Sequence, residues 1–228
     1  MQAKSHYPLN SRRRFMQVLS GSVAWSLPNW SLAATGLWVP DELPVTPSQG
    51  QGPFYPEIEI EKQLHNDTDL YRKIEGHEAA KGEPIIVHGV VQDRHGKPLA
   101  GSVVEIWQAC AAGRYNHSGD RNQKKLLDNN FQFWGRSVIG QDGTYSFTTV
   151  VPGLYPGRMG RHIHFRVESE GHSRLTTQCY FAEFGEDNAK DDLYKRLDSK
   201  EQELVTVELE KPTDQELPRT GEFRIVMA

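Results

Sequence analysis

The stretch GLYPGRMGRHIHF, residues 153–165, carries a tyrosine, two arginines and two alternating histidines. Successive side chains of an extended strand face opposite ways, so His162 and His164 share one face while Ile163 and Phe165 take the other. A His-x-His pair can bring two imidazole nitrogens to one metal, although the same spacing also suits two ordinary histidines on a polar strand face. Tyr155 lies seven residues before His162, joined to it by PGRMGR, a segment able to loop back over the strand mouth. A second tyrosine, Tyr115, sits in AAGRYNH. Either phenol alone fits core packing with a hydrogen-bonded hydroxyl. Two phenols and two imidazoles together suit a hard, highly charged ion, beside which a phenol of pKa about 10 binds as phenolate. Anionic oxygen donors favour ferric over ferrous iron, and the sulfur-seeking metals are disfavoured.

Positioning such a set needs a rigid frame. From residue 83 onward strand-like runs recur: PIIVHGVVQD, SVVEIWQAC, TYSFTTV, HIHFRVE, RLTTQCYF, ELVTVELE and EFRIVMA, with turns at RHGKP, QDG and EGHS. Short β-branched and aromatic runs without long helices between them predict an all-β fold, an antiparallel β-sandwich with long active-site loops and one short helix. The helix is expected at residues 188–197, where Leu193 and Leu197 share a face. Residues 113–135 and 151–161 are too long and polar for simple hairpins, and both contain a glycine-rich approach to a tyrosine. Trp107 and Trp134 read as core or pocket wall. His88, His95, His117 and His172 read as turn and strand-edge histidines.

The chain of 228 residues has a formal net charge of -4, enough length for one well-buried domain and no basic surface for nucleic acid. At the start, SRRRFMQ precedes a moderately apolar run too polar and too short to span a bilayer, so no stable membrane insertion is expected. Ser11, Arg12, Arg13, Phe15 and Met16 resemble the twin-arginine export signal of bacteria, with a cut near Ala34. That resemblance implies recognition by the twin-arginine export machinery, a periplasmic or secreted protein, and export in the folded state with a cofactor already loaded. The expected organisation is a signal peptide at 1–34, an extended segment packing on the core at 35–82, and the sandwich at 83–228. Cys110 and Cys179 have no zinc-type spacing and suit either one disulfide or two buried thiols.

Several ordered motifs resemble the intradiol ring-cleavage dioxygenases: GPFYP, VHGVVQDRHGKPLAGSVVEIWQACAAGRYNH, DGTYSFTTVVPGLYP, HIHF and TTQCYF. The layout is closest to the protocatechuate 3,4-dioxygenase type, because only a short stretch precedes the sandwich. The resemblance implies a non-haem Fe(III) cofactor held by Tyr115, Tyr155, His162 and His164. It also implies a catecholic substrate, O2 as co-substrate and a cis,cis-muconate-type product carrying both oxygen atoms. Assembly into a homo-oligomer is compatible with it. Tyr155 is expected to leave the iron when substrate chelates and to take a substrate proton. The family's arginine ahead of the first histidine has no clear counterpart in GRMGRHIH. Either Arg158 or Arg161 could serve, and Arg158 is preferred because Arg161, next to His162, should point away from the ligand face. Gln178 matches a pocket position or is a strand-face amide, and Tyr55 of GPFYP is a pocket tyrosine or an anchor for the N-terminal segment.

A non-catalytic, prealbumin-like binding module of the cell envelope explains the strands and turns equally well. It does not explain Tyr115, HIHF and TTQCYF. The altered arginine loop also leaves room for a family member acting on a less simple catechol, such as a lignin or humic fragment, since ring selectivity comes from pocket shape and a few polar groups.

Overall fold

The computed structural model of the chain describes residues 42–57, 66–73, 78–214 and 216–228. The export leader and the cut near Ala34 lie outside the described residues. Among the described residues, no helix is long and apolar enough to cross a membrane.

Among the described residues, nine strands form two sheets. One contains β1 (Pro84–Asp93), β4 (Thr144–Val150), β8 (Arg219–Glu222) and β9 (Ile225–Met227). In it β1 is flanked by β4 on one side and by β8 and β9 in succession on the other. The second sheet runs β3 (Trp134–Val138), β2 (Val103–Trp107), β5 (His162–Glu168), β6 (Leu175–Phe181) and β7 (Thr206–Val207). Ile85, Val87, Val91 and Phe147 of the first sheet and Val104, Ile106, Ile163, Phe165 and Val167 of the second belong to one buried cluster. Fully burying each such side chain contributes roughly 1.5–3 kcal/mol, which is what fuses the two layers. Cys110 and Cys179 are both free thiols in this core, and burial pushes the Cys179 thiol up.

The β-sandwich is as the sequence predicts, with four differences. The pairings of β1 with β8 and β9 and of β6 with β7 are parallel, so the sheets are mixed rather than purely antiparallel. Strand β3 begins at Trp134, in the last two residues of the stretch 113–135 expected to be loop. Most of ELVTVELE is not a strand: Asp198 and Glu201 form a reciprocal capping box that starts a helix, Ser199–Val205, leaving two residues for β7. No helix spans 188–197. A single turn of helix, Gly185–Asn188, is followed by a 3-10 turn at Tyr194–Arg196. The break falls at Asp191, whose Oδ1 accepts the backbone N–H groups of Leu193 and Tyr194 and so competes with helix propagation. The two helices are α1 (Gly185–Asn188) and α2 (Ser199–Val205) hereafter.

The N-terminal segment 42–57 is extended over both sheets. Leu43 N donates to Arg94 O and Thr46 N to Val226 O, and further along Gln49 N donates to Thr176 O on β6. Gln178 N returns a bond to Gln49 Oε1, so the segment continues the edge of β6 that β7 does not reach.

Candidate metal centre

Strand register builds the floor of the site. On the side of the second sheet away from the core, Trp107, His164 and Gln178 stand directly opposite one another on β2, β5 and β6, and His162 stands opposite Tyr180. The intervening residues Ile163, Phe165, Cys179 and Ile106 point into the core. The two histidine rings lie 4.8 Å apart at 82°, and both are buried. Trp107 lies flat against His164, ring centres 4.8 Å apart at 4°, which fixes the tilt of that imidazole.

The tyrosines arrive on two loops that cross. A Cβ on Gly113 would collide with Leu154 O, and one on Gly153 would collide with Ala111 O and Gly113 N. The two loops reach this separation only with glycine at both positions. Gly113 N and Gly153 N both donate to Cys110 O, and Lys125 Nζ donates to Leu154 O across the crossing. Tyr115 N donates to Asp120 Oδ2 at 2.7 Å, which sets its own loop. The crossing leaves the Tyr115 and Tyr155 rings 5.2 Å apart, edge to face. Phe54 of GPFYP packs on both, at 4.8 and 5.7 Å. Tyr155 Oη then sits 3.2 Å from His162 Nε2.

The tautomer of His162 follows from its neighbours. Arg158 NH1, which can only donate, lies 3.0 Å from Nε2, and Nδ1 lies 2.7 Å from Gly160 O, which can only accept. Nδ1 therefore carries the proton, and Nε2 presents a lone pair to the space shared with Tyr155, the arrangement by which a backbone carbonyl orients a ligating imidazole. Burial, with Arg158 adding to it, lowers the His162 pKa to about 3, so the ring is neutral. Burial, then the neighbouring His162, holds His164 well below its ordinary value. Burial, then Tyr155, pushes the Tyr115 phenol well above 10, and burial raises Tyr155 against the pull of Arg158. Tyr115 Oη and His164 Nδ1 are buried without a hydrogen-bond partner of good geometry. Leaving such groups unpaired costs about 1–3 kcal/mol each.

This donor set fits a metal ion. It offers neutral imidazoles, one with Nε2 facing both Arg158 NH1 and Tyr155 Oη, and phenols that become anionic only beside a strong positive charge. Among the described residues, no group of three or more His, Cys, Asp or Glu side chains could hold a metal, so a metal here must draw on the phenols.

The remaining expected site residues separate. Arg158 reaches the centre: beyond His162, its NH2 donates to Gln178 Oε1 at 2.7 Å and to Tyr180 Oη at 3.0 Å. Arg161 does not. Its NH1 donates to Pro152 O and its guanidinium lies over the Phe184 ring, so the structure does not bring it to the histidines as the sequence reading allowed. Gln178 is buried beside His164 and also touches the N-terminal segment through Gly50 O. Tyr55 Oη donates to Glu105 Oε2 and its ring meets Trp107 edge-on, an anchoring geometry behind the His164 wall. Sequence reasoning missed Asp191, Tyr180 and Phe54 as parts of the site and left Trp107 as core or pocket wall. Phe54 and Tyr180 were within reach, because each lies in a motif already singled out. Asp191 was not: it lies in the polar stretch NAKDDLYKRL, with nothing to mark it off from a solvated carboxylate.

A protein-family model described as Dioxygenase matches residues 51–227. The protocatechuate 3,4-dioxygenase beta chain of Burkholderia cepacia is 36% identical over 152 residues, 58% of this chain and 64% of that protein. The catechol 1,2-dioxygenase of Candida albicans is 32% identical over 52% of this chain and 46% of its own length. The chain thus spans between about half and two thirds of these relatives. Among solved structures, the dioxygenase domain of a dioxygenase carbohydrate-binding protein fusion from Streptomyces sp. SirexAA-E superposes with a TM-score of 0.60 and 31% identity, covering 80% of this chain and 97% of that one.

Proposed function

The chain belongs to the intradiol ring-cleavage dioxygenases, and from that premise we propose that it is an exported Fe(III) enzyme that opens a catecholic ring with O2. Both oxygen atoms enter the product: one carbon–carbon bond between the hydroxylated carbons breaks, and a cis,cis-muconate-type diacid forms. The observation that carries this reading is the convergence of Tyr115, Tyr155, His162 and His164 on one buried space, with Tyr155 Oη 3.2 Å from the His162 lone pair. These four residues would hold the iron. Bound there, the ferric ion supplies a Lewis-acidic centre that draws electron density from a catecholate and makes the ring reactive toward dioxygen.

The chain's own residues supply the rest. Tyr155 is the less deeply buried of the two phenols, and its oxygen is the natural acceptor for a proton from a substrate hydroxyl. Tyr115, pinned by Asp120 and packed on Phe54, keeps its place. Arg158 brings a fixed positive charge beside the position where the ionised substrate oxygens must sit, and Gln178 and Tyr180 hold its outer edge. Phe54 and the crossing of the two loops shield that space from water, which strengthens every charge interaction inside it.

Oxygen uptake with a panel of catechols on iron-loaded protein, with products weighed, tests the reaction and the substrate together. A product heavier than substrate by both atoms of labelled O2 supports the proposal, and uptake by none of the panel overturns it. We further propose that the twin-arginine leader directs export. Lysines at Arg12 and Arg13 should trap the precursor in the cytoplasm, and unchanged export would remove that part of the reading.

A further inference from the structure

The guanidinium that reaches the centre is not fixed by the element that carries it. Arg158 lies in the loop 151–161, outside any strand or helix, and a long side chain in a loop samples many rotamers unless something selects one. That selection comes from a carboxylate 33 residues further along the chain. Asp191 Oδ2 accepts Arg158 Nε at 2.8 Å while Oδ1 accepts its NH2 at 3.2 Å, two parallel bonds that match the planar fork of arginine. The same two oxygens accept Met159 N and Gly160 N at 3.0 Å, and Leu193 N and Tyr194 N at 3.0 and 3.2 Å. Asp191 is buried, with every bond it makes directed to this loop or to the turn after α1. Its reach extends to the ligand strand, because Gly160, whose N–H it holds, is the residue whose carbonyl fixes the His162 tautomer.

We propose that Asp191 is a positioning residue for ring cleavage: its bidentate grip on Nε and NH2 leaves Arg158 NH1 directed at the centre beside His162, where the ionised oxygens of a bound catechol would meet it. This rests on the catechol-cleaving reading above. A lysine at position 158 could not be aimed in this way, because an ammonium has no second nitrogen for the carboxylate to hold.

The test uses the iron-loaded full chain and reads both turnover and the dissociation constant of 4-nitrocatechol by its absorption. Asp191→Asn should lower kcat/KM about 100-fold, the scale of a misaimed positioning group, while keeping iron and its phenolate absorption. In an Arg158→Ala background the same substitution should cost far less, because only the hold on the Met159 and Gly160 amides is then lost. Guanidinium chloride at millimolar concentration should restore part of the loss in Arg158→Ala, methylammonium chloride at equal ionic strength should not, and the rescue should vanish when Asp191→Asn is added. The rescue arm keeps Asp191 intact, so it stands even where Asp191→Asn folds poorly. Equal losses in both backgrounds, or no guanidinium-specific rescue, would overturn the role of Asp191 while leaving a wild type that binds 4-nitrocatechol and opens catechols. A wild type that does neither would bring down the functional reading and this role with it.

Discussion

Strand β5 separates two regions built on opposite rules. Facing the first sheet, Ile163, Phe165 and Val167 join an apolar cluster whose partners are other apolar side chains. Facing outward, His162 and His164 are equally buried, yet they sit among phenols, an arginine and an amide. Four buried polar atoms without a hydrogen-bond partner of good geometry, Trp107 Nε1, Tyr115 Oη, Trp134 Nε1 and His164 Nδ1, belong to this outer cluster or touch it. On the inner face Thr177 Oγ1 also lacks one. An outer face of this kind is a poor source of stability, since buried polar groups without partners are costly. The inner layer supplies the stability, and the outer layer spends part of it to keep a donor set poised.

Substitutions on the two faces should therefore fail in different ways. The largest effect is expected from His162→Ala, which should remove the iron and all measurable turnover while the protein still melts cooperatively. Metal analysis beside calorimetry would check it, and full iron retention would place the metal elsewhere. Phe165→Ala, one strand position from His164, should instead cost about 3–5 kcal/mol in urea unfolding and leave iron bound in the molecules that remain folded. Were it to cost under about 1 kcal/mol, the inner layer would not be the source of stability argued here. Tyr155→Phe should keep iron and fold, and lower kcat about 100-fold, the lower range for losing a general base. An unchanged kcat would remove Tyr155 from proton transfer.

The smallest effect separates the faces by pH. Burial raises the Asp191 carboxyl, but Arg158 and the Gly160 and Tyr194 amides outweigh it and hold the group at about 2, against 3.8 ordinarily. Above roughly pH 4 it is ionised whether the chain is folded or not, and its contribution to stability is fully present. Between about pH 4 and 2 the unfolded chain takes up the proton first, so stability falls as pH falls, by on the order of 2 kcal/mol. Acid unfolding of Asp191→Asn should show that much less slope over the same window, whereas Phe165→Ala should keep it. A slope unchanged in Asp191→Asn would mean the carboxylate is not held as the hydrogen bonds indicate.

How much of this was legible in the sequence depended on the range over which each signal acts. The alternation in HIHF told which residues face in and which face out, because it depends only on neighbours along one strand. The glycines before Tyr115 and Tyr155 were visible too, although their meaning, the crossing of Gly113 and Gly153, belongs to two segments forty residues apart. Strand β3 was hidden by Gly135, Arg136 and Ser137, which lack the apolar alternation of a strand and are held by pairing to β2. The helix α2 was masked by the β-branched run after it, although the Asp198 and Glu201 capping pair was there to be read. The parallel pairings of β8 and β9 with β1, and the hold of Asp191 on Arg158, arise only from contacts between distant segments. No local pattern encodes them.

The central claim is that two phenolate oxygens and two imidazole nitrogens of this chain share one ferric ion. Its most direct test is the visible absorption spectrum of the purified protein, with iron assayed on the same sample. The account predicts a red-brown chromophore from phenolate-to-iron charge transfer that scales with iron content, changes in Tyr155→Phe and disappears in His162→Ala. A colourless protein with stoichiometric iron would contradict it.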